Sequence, residues 1–214
     1  MASGSHPVFA RVYQRMSTRM DQAGVAGLRR ELVAGLSGRV IEVGAGNGLM
    51  FPHYPAQVAE VLAVEPEPHL RAAAVAAARG APVPITVVAG HADRLPAADG
   101  EFDAAVTAYV LCSVPGLPTA LAELRRVLRS DGELRFLEHV LDGGSARMRR
   151  AQRWADATVW PFFFGGCHTA RDTAGAIAAA GFELGGTRTF RFPPHGPATP
   201  SSPHVLGRAV SPRP

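Results

Sequence analysis

The chain contains no lysine; all 22 of its basic side chains are arginine. A Walker-type phosphate site, a pyridoxal Schiff base and the Tyr-x-x-x-Lys pair of short-chain dehydrogenases are thereby excluded, because each needs a primary amine at a defined place. Cysteine is nearly as scarce. Cys112 and Cys167 have neither zinc-finger spacing nor a disulfide framework, so no metal site is expected and both read as buried apolar packers. No signal peptide and no apolar run long enough to span a bilayer is visible, so the expectation is a cytoplasmic protein without an integral membrane segment. A lysine-free composition rich in Ala, Arg, Gly and Pro suggests GC-rich coding bias, and the net charge of +4 therefore carries little functional weight.

What the chain does have is the run Val40-Ile41-Glu42-Val43-Gly44-Ala45-Gly46-Asn47-Gly48. A short β-rich stretch followed by three alternate glycines predicts a strand turning sharply into a helix from about residue 49, with backbone amides facing a ligand. Glu65 lies 17 positions beyond Gly48, at the close of Val61-Leu62-Ala63-Val64, where a second parallel strand ends and a carboxylate can accept both hydroxyls of a ribose. A dinucleotide fingerprint reads G-x-G-x-x-G, whereas this loop reads G-x-G-x-G with Glu42 two residues ahead. That acid repels a pyrophosphate and attracts the α-ammonium of a methionine moiety, which favours S-adenosylmethionine over NAD. The cofactor residues expected here are Glu42, Gly44, Ala45, Gly46, Asn47, Gly48, Glu65 and Pro66.

Helix and strand signals alternate along the chain. Residues 8–36 read as two helices, with Tyr13, Met16 and Met20 on one stripe. Strands are expected at 39–43, 61–64, 85–88, 102–107 and 133–140, and helices at 69–79 and 118–128. Beyond them come helices at 145–160 and 172–180, then strands 182–190 and 205–210 as a hairpin-like pair. At 214 residues and 47% hydrophobic, this fits one domain with a substantial core and no linker. Residues 1–5, small and polar, read as a tag remnant or a disordered start.

Ligands of doubly wound sheets sit at the carboxyl ends of the strands near the switch in strand order. The loop after the third strand, Gly90-His91-Ala92-Asp93-Arg94-Leu95-Pro96, is expected to hold adenine through the Ala92 amide with His91 or Asp93. Tyr109 and Val110, ending the fourth strand, join the cofactor set. Tyr13, on a helix with no place in the alternation, is expected to cap the cofactor.

Six further segments carry a resemblance: Leu111-Cys112-Ser113-Val114, Arg125-Arg126-Val127-Leu128-Arg129, Glu138-His139-Val140, Gly166-Cys167 ahead of Arg171-Asp172-Thr173, Ala180-Gly181-Phe182, and Pro203-His204-Val205-Leu206-Gly207. In this order they resemble the animal alkyl-thiol methyltransferases and their bacterial relatives, over about residues 13–210. The resemblance implies an α/β, Rossmann-like class I methyltransferase fold, with a seven-stranded, mostly parallel sheet, a reversed last strand and helices on both faces. It implies S-adenosylmethionine as cofactor and methyl transfer to a small, fairly apolar acceptor, first a thiol sulfur, with nitrogen or oxygen next and a lost or redirected, for example cyclising, chemistry as the alternative. The single domain then divides into cap helices (8–36), cofactor-binding core (39–140), acceptor-side insertion (141–170) and terminal helix and strands (171–210). The chain departs from the family in lacking a hydrophobic N-terminal anchor, in Asn47 for Thr, in Glu65 for Asp, and in His168 where the family has a second cysteine.

Methyl transfer needs positioning and exclusion of water more than acid–base chemistry, and only the ionisation of the acceptor calls for a base. His139 is the expected base and His168 the second candidate, with Ser113, Trp160 and Cys167 lining the acceptor pocket. The insertion also holds Arg147, Arg149, Arg150 and Arg153 beside Trp154, Trp160, Phe162, Phe163 and Phe164, a mixture compatible with RNA or an anionic membrane. Helical periodicity favours Trp154 and Ala157 facing inward, arginines in solvent and the aromatic run as pocket wall or lid. There is no N-P-P-Y base-methylation motif, so the expected partner is a small molecule rather than nucleic acid, bound by a monomer or homodimer.

Overall fold

The structure is a computed structural model that describes residues 7–212; the polar start at residues 1–5 lies outside the described residues. Its strands are β1 (Gly38–Val43), β2 (Val58–Val64), β3 (Ile85–Val88), β4 (Phe102–Ala108), β5 (Leu128–His139), β6 (Glu183–Arg191) and β7 (Pro203–Val210). They form one sheet in the order β3-β2-β1-β4-β5-β7-β6, parallel from β3 to β5, with β7 antiparallel to both β5 and β6. This is the expected seven-stranded, Rossmann-like sheet with a reversed last strand.

The helices are α1 (Pro7–Met20), α2 (Ala26–Val33), α3 (Pro68–Ala78), α4 (Leu117–Val127), α5 (Ala146–Asp156), α6 (Trp160–Phe163) and α7 (Thr173–Ala179). Short polar side chains set several of their starts. Glu67 accepts the amide of Leu70 at 2.8 Å, Ser145 that of Met148 at 3.2 Å and Asp172 that of Gly175 at 3.0 Å, each satisfying an otherwise orphaned donor of a first turn. Because helices cover both faces, the successive residues 40–43 of β1 are all buried: Val40 joins the cluster of Leu32, Val33 and Ala74 on one side, and Ile41 joins Leu121, Leu124 and Ile177 on the other.

Three expectations need correction. The helix expected from residue 49 is a turn followed by a single 3-10 turn, Phe51–His53. Pro55 has no N–H to continue the ladder and forces Tyr54 into an extended conformation (φ −61°, ψ 129°), so an α-helix cannot propagate. The helix expected over 145–160 stops at Asp156, whose carboxylate instead accepts the amides of Thr169 at 2.7 Å and Ala170 at 2.9 Å. Its phase differs as well, since Gln152 and Ala155 face inward while Trp154, 71% exposed, and Ala157 face out. A buried glutamine wins the inner face because its side-chain amide serves the carbonyls of Val140 and Thr169 at 2.9 and 2.8 Å. Finally, β5 begins at Leu128 rather than 133, through a register shift against β4.

Candidate active site

The strand order reverses between β1 and β4, and the loops leaving these two strands press together there. Gly44 has φ +73°, and a Cβ on it would stand 2.4 Å from Val110 Cγ2, so only glycine permits the approach. The amides of this loop do not face outward as expected. Gly44 and Ala45 both donate to the Val64 carbonyl, at 2.8 and 3.1 Å, Gly46 donates to Glu65 at 2.8 Å, and Gly48 donates to the Ala45 carbonyl at 3.0 Å. Gly44 and Gly48 thus serve close packing, while Gly46 lies at the cavity wall with Tyr13 the nearest side chain.

Beside this contact lies a cavity of about 360 Å³. Its walls come from separate segments: Tyr13 from α1; Gly44 and Gly46; Glu65 and Pro66 at the end of β2; His91, Ala92 and Asp93 after β3; Tyr109, Val110 and Ser113 after β4; and Phe164 after α6. Glu65 is 5% exposed, and burial raises its pKa while the amides of Glu67 and Gly46, accepted at 2.9 and 2.8 Å, oppose the rise. Tyr109 adopts φ +62°, unusual for a bulky residue, and its hydroxyl is buried without a hydrogen-bond partner among the described residues. A buried acid, an orphaned hydroxyl and this volume fit an adenosyl ligand, which needs acceptors for its ribose and polar partners within a mostly apolar wall.

The remaining expected cofactor residues do not line the cavity. Glu42 points at Tyr54, accepting its hydroxyl at 2.8 Å, and burial pushes its carboxyl to about 7. Ala45 is packed in the core and Gly48 abuts Ala77 of α3. Asn47 accepts the Ser17 hydroxyl at 3.3 Å, and Gln14 meets His69 at 3.0 Å; these two contacts fasten α1 to the loop and to α3.

A second cavity of about 110 Å³ shares Tyr13, Tyr109, Ser113 and Phe164 with the first. Its other walls include Met16 and Met20 from the stripe on α1, Trp160, Arg29, Cys112, His139 and Cys167. Trp160 and Phe164 stack with ring centres 4.1 Å apart, whereas Phe162 and Phe163 are exposed, so only part of the aromatic run is wall. The imidazole Nδ1 of His139 lies 3.3 Å from the Cys167 sulfur and 3.7 Å from that of Cys112, and the sulfurs are 3.9 Å apart. The hydrogen bond between the two thiols raises the pKa of Cys112 and lowers that of Cys167; burial adds to the first shift and His139 to the second. Both cysteines are buried, as expected, and both also face His139.

His168, the second candidate base, is not brought to either cavity. Its amide donates to the Cys112 carbonyl at 2.7 Å, and its ring is turned toward Asp156, at 3.8 Å. Three residues went unassigned in the sequence. Glu138, fully buried, accepts the amides of Val110 and Cys112 at 3.1 and 3.2 Å and holds the turn after β4; its signals were an acid at the end of an apolar strand and its place in the segment Glu138-His139-Val140. His204 pairs with His139 across β7 and β5, with ring centres 4.8 Å apart; burial, followed by His139, lowers its pKa to about 4. Arg29, 8% exposed and bonded to Asp21 at 3.0 Å, carried no local signal at all.

Fold and site together define a class I, S-adenosylmethionine-dependent methyltransferase. Residues 41–136 match the methyltransferase domain family. The fold is similar to that of geranyl diphosphate methyltransferase solved with S-adenosylmethionine (TM-score 0.67, 15% identity, 88% of this chain and 85% of that one) and of a SAM-dependent methyltransferase from Thermotoga maritima (TM-score 0.67, 20% identity, 95% and 98%). Thiol S-methyltransferase TMT1B of Homo sapiens is 34% identical over 183 residues, covering 83% of this chain and 73% of that protein, and its Mus musculus counterpart is 32% identical over 212 residues, covering 94% and 82%. The chain belongs to the methyltransferase family of these enzymes. Among the described residues, no helix is long and apolar enough to cross a membrane.

Proposed function

We propose that the protein methylates the sulfur of a small, fairly apolar thiol. The observation that carries this reading is the second cavity, apolar through Met16, Met20, Trp160 and Phe164, joined to the cofactor cavity by four common residues and ended by His139. The similarity to thiol S-methyltransferases supports the choice of sulfur.

In this reading Glu65, fixed by two amides, offers its remaining lone pairs to the ribose diol, and Ala92 with His91 or Asp93 receives adenine. Arg29 offers the methionine carboxylate a cation, and Tyr13 closes over the cofactor. S-adenosylmethionine supplies a methyl on a sulfonium, whose departure needs no acid. The protein's remaining tasks are to align the acceptor, exclude water and favour the thiolate; His139 serves the last. The whole chain acts as one cytoplasmic domain, as a monomer or homodimer, on a small molecule and not on nucleic acid.

A panel of thiols, amines and phenols, assayed for S-adenosylhomocysteine release, tests the reading. Turnover is expected with small alkyl and aryl thiols. Turnover of amines or phenols alone moves the acceptor to nitrogen or oxygen, and silence throughout, despite tight cofactor binding, points to redirected chemistry.

A further inference from the structure

We propose that Cys112, Cys167 and His139 form a zinc site whose fourth position takes the acceptor thiol as its thiolate; the second half of this inference rests on the thiol reading above.

The geometry is that of three corners of a tetrahedron. Zinc bonds of about 2.3 Å to sulfur and about 2.0 Å to nitrogen, at tetrahedral angles, set two sulfurs about 3.8 Å apart and each sulfur about 3.5 Å from the nitrogen. The observed edges are 3.9 Å between the sulfurs, and 3.7 and 3.3 Å from Cys112 and Cys167 to His139 Nδ1. Among the described residues this trio is a group of side chains able to hold a metal ion. Two soft thiolates and one imidazole select zinc over magnesium or calcium, which require oxygen. Three protein ligands with one open position is the pattern of a catalytic rather than a structural zinc.

Backbone contacts hold the three corners in place. Cys112 follows the turn pinned by Glu138, whose carboxylate accepts the Cys112 amide at 3.2 Å. The Cys167 loop is tied to that same turn by the His168 amide on the Cys112 carbonyl, at 2.7 Å. Gly166, with φ +85°, lets the two segments meet, since a Cβ there would stand 2.8 Å from the Ser113 carbonyl oxygen. His139 ends β5, its ring flanked by Tyr109 and His204 at 5.0 and 4.8 Å between centres. All three ligands line the acceptor cavity, so the open position belongs to the chamber in which the methyl acceptor is proposed to bind.

Zinc binding displaces the thiol protons of Cys112 and Cys167 to solvent. An acceptor R–SH then binds through sulfur and releases its own proton, leaving a zinc-bound thiolate at neutral pH. A sulfur lone pair forms the new S–CH3 bond while the sulfonium C–S bond breaks and its electron pair returns to the departing sulfur. The products are the methyl sulfide and S-adenosylhomocysteine. No oxidant or reductant is involved, and the neutral sulfide, a poorer ligand than the thiolate, leaves the metal.

The test uses the full chain, kept reduced, with zinc alone as the first probe, in competition with a chromophoric chelator. One zinc per chain is expected, with Cys112→Ser and Cys167→Ser each weakening it at least about 100-fold, beyond the tenfold to 100-fold effect of losing a mere outer-shell partner. Cobalt in place of zinc should show thiolate-to-metal absorption that shifts when a small thiol is added and does not shift with the corresponding methyl sulfide. Less than one zinc in the unmutated protein, or affinity indifferent to both substitutions, overturns the site. Full thiol turnover by metal-stripped protein overturns its catalytic role and leaves the thiol reading standing. Zinc bound by the two cysteines, with amines methylated and no thiol accepted, instead sinks the thiol reading and its acceptor ligand while the metal site survives.

Discussion

The carboxylate of Glu65 accepts the amide of Gly46 at 2.8 Å, so the acid that ends β2 and the glycine loop that follows β1 form a single rigid wall of the cofactor cavity. Removing the acid takes away both the proposed ribose acceptor and the brace of the loop. Glu65→Ala should weaken S-adenosylmethionine binding by about 1.5 to 3 kcal/mol, the scale of lost charge-assisted hydrogen bonds. Calorimetry reads this directly. An unchanged affinity removes Glu65 from the cofactor site.

Two side-chain hydrogen bonds tie α1 to the rest of the fold, Ser17 on Asn47 and Gln14 on His69, with Tyr13 set against the cavity. Such a helix opens readily and is held by ligand. Hydrogen exchange in residues 8–22 should slow when S-adenosylhomocysteine binds. Equal protection with and without ligand makes α1 a fixed wall.

Glu42 stays protonated in the folded, ligand-free protein up to about 7, against an ordinary value of 4.5. The native state thus holds more protons than the unfolded chain between these limits, and stability falls as pH rises through that window. Glu42→Gln keeps an acceptor for Tyr54 without the charge. Relative to the parent, it should gain about 1 to 3 kcal/mol between pH 5 and pH 8, measured by denaturant unfolding. A stability gap that ignores pH contradicts the assignment.

His139→Ala should spare cofactor affinity and lower the rate with a thiol at neutral pH. The deficit should shrink as pH passes the thiol's own pKa, because the acceptor then ionises unaided. Turnover of parent and variant from pH 6 to 9.5 separates this from positioning, for which the deficit stays constant with pH.

Gly44→Ala sets a methyl 2.4 Å from Val110 Cγ2 in a left-handed backbone, and should cost about 1 to 3 kcal/mol of stability. Val110→Ala added to it should recover part of that loss. Strict additivity in the double variant means that the two loops do not press on one another.

Periodic features were legible in the sequence and long-range ones were not. Val40 and Ile41 declared a buried parallel strand, and Tyr13, Met16 and Met20 declared a stripe on one helix, whose three residues line the smaller cavity. The loop glycines were readable as a tight turn, but where their amides point depends on the Val64 carbonyl and the Glu65 carboxylate, which arrive from another strand. Trp154 was misoriented because apolar periodicity outranks a glutamine on paper, whereas in the fold Gln152 satisfies buried carbonyls. The cluster at the end of the acceptor cavity escaped because its ligands stand 27 and 28 residues apart on three different segments. No local spacing encodes such a meeting; the crossovers of the sheet create it.

Tyr13 walls both cavities, and its helix joins α2 through the π turn Asp21–Val25, where Gly24 has φ +123°. Should hydrogen exchange show that α1 opens, one swing about that joint would uncover the two chambers simultaneously, and methylated product and spent cofactor would depart through a common exit. Slowing that single movement would then throttle every turnover alike, whatever acceptor is bound, and the ceiling on catalytic rate would belong to a helix that takes no part in making or breaking a bond.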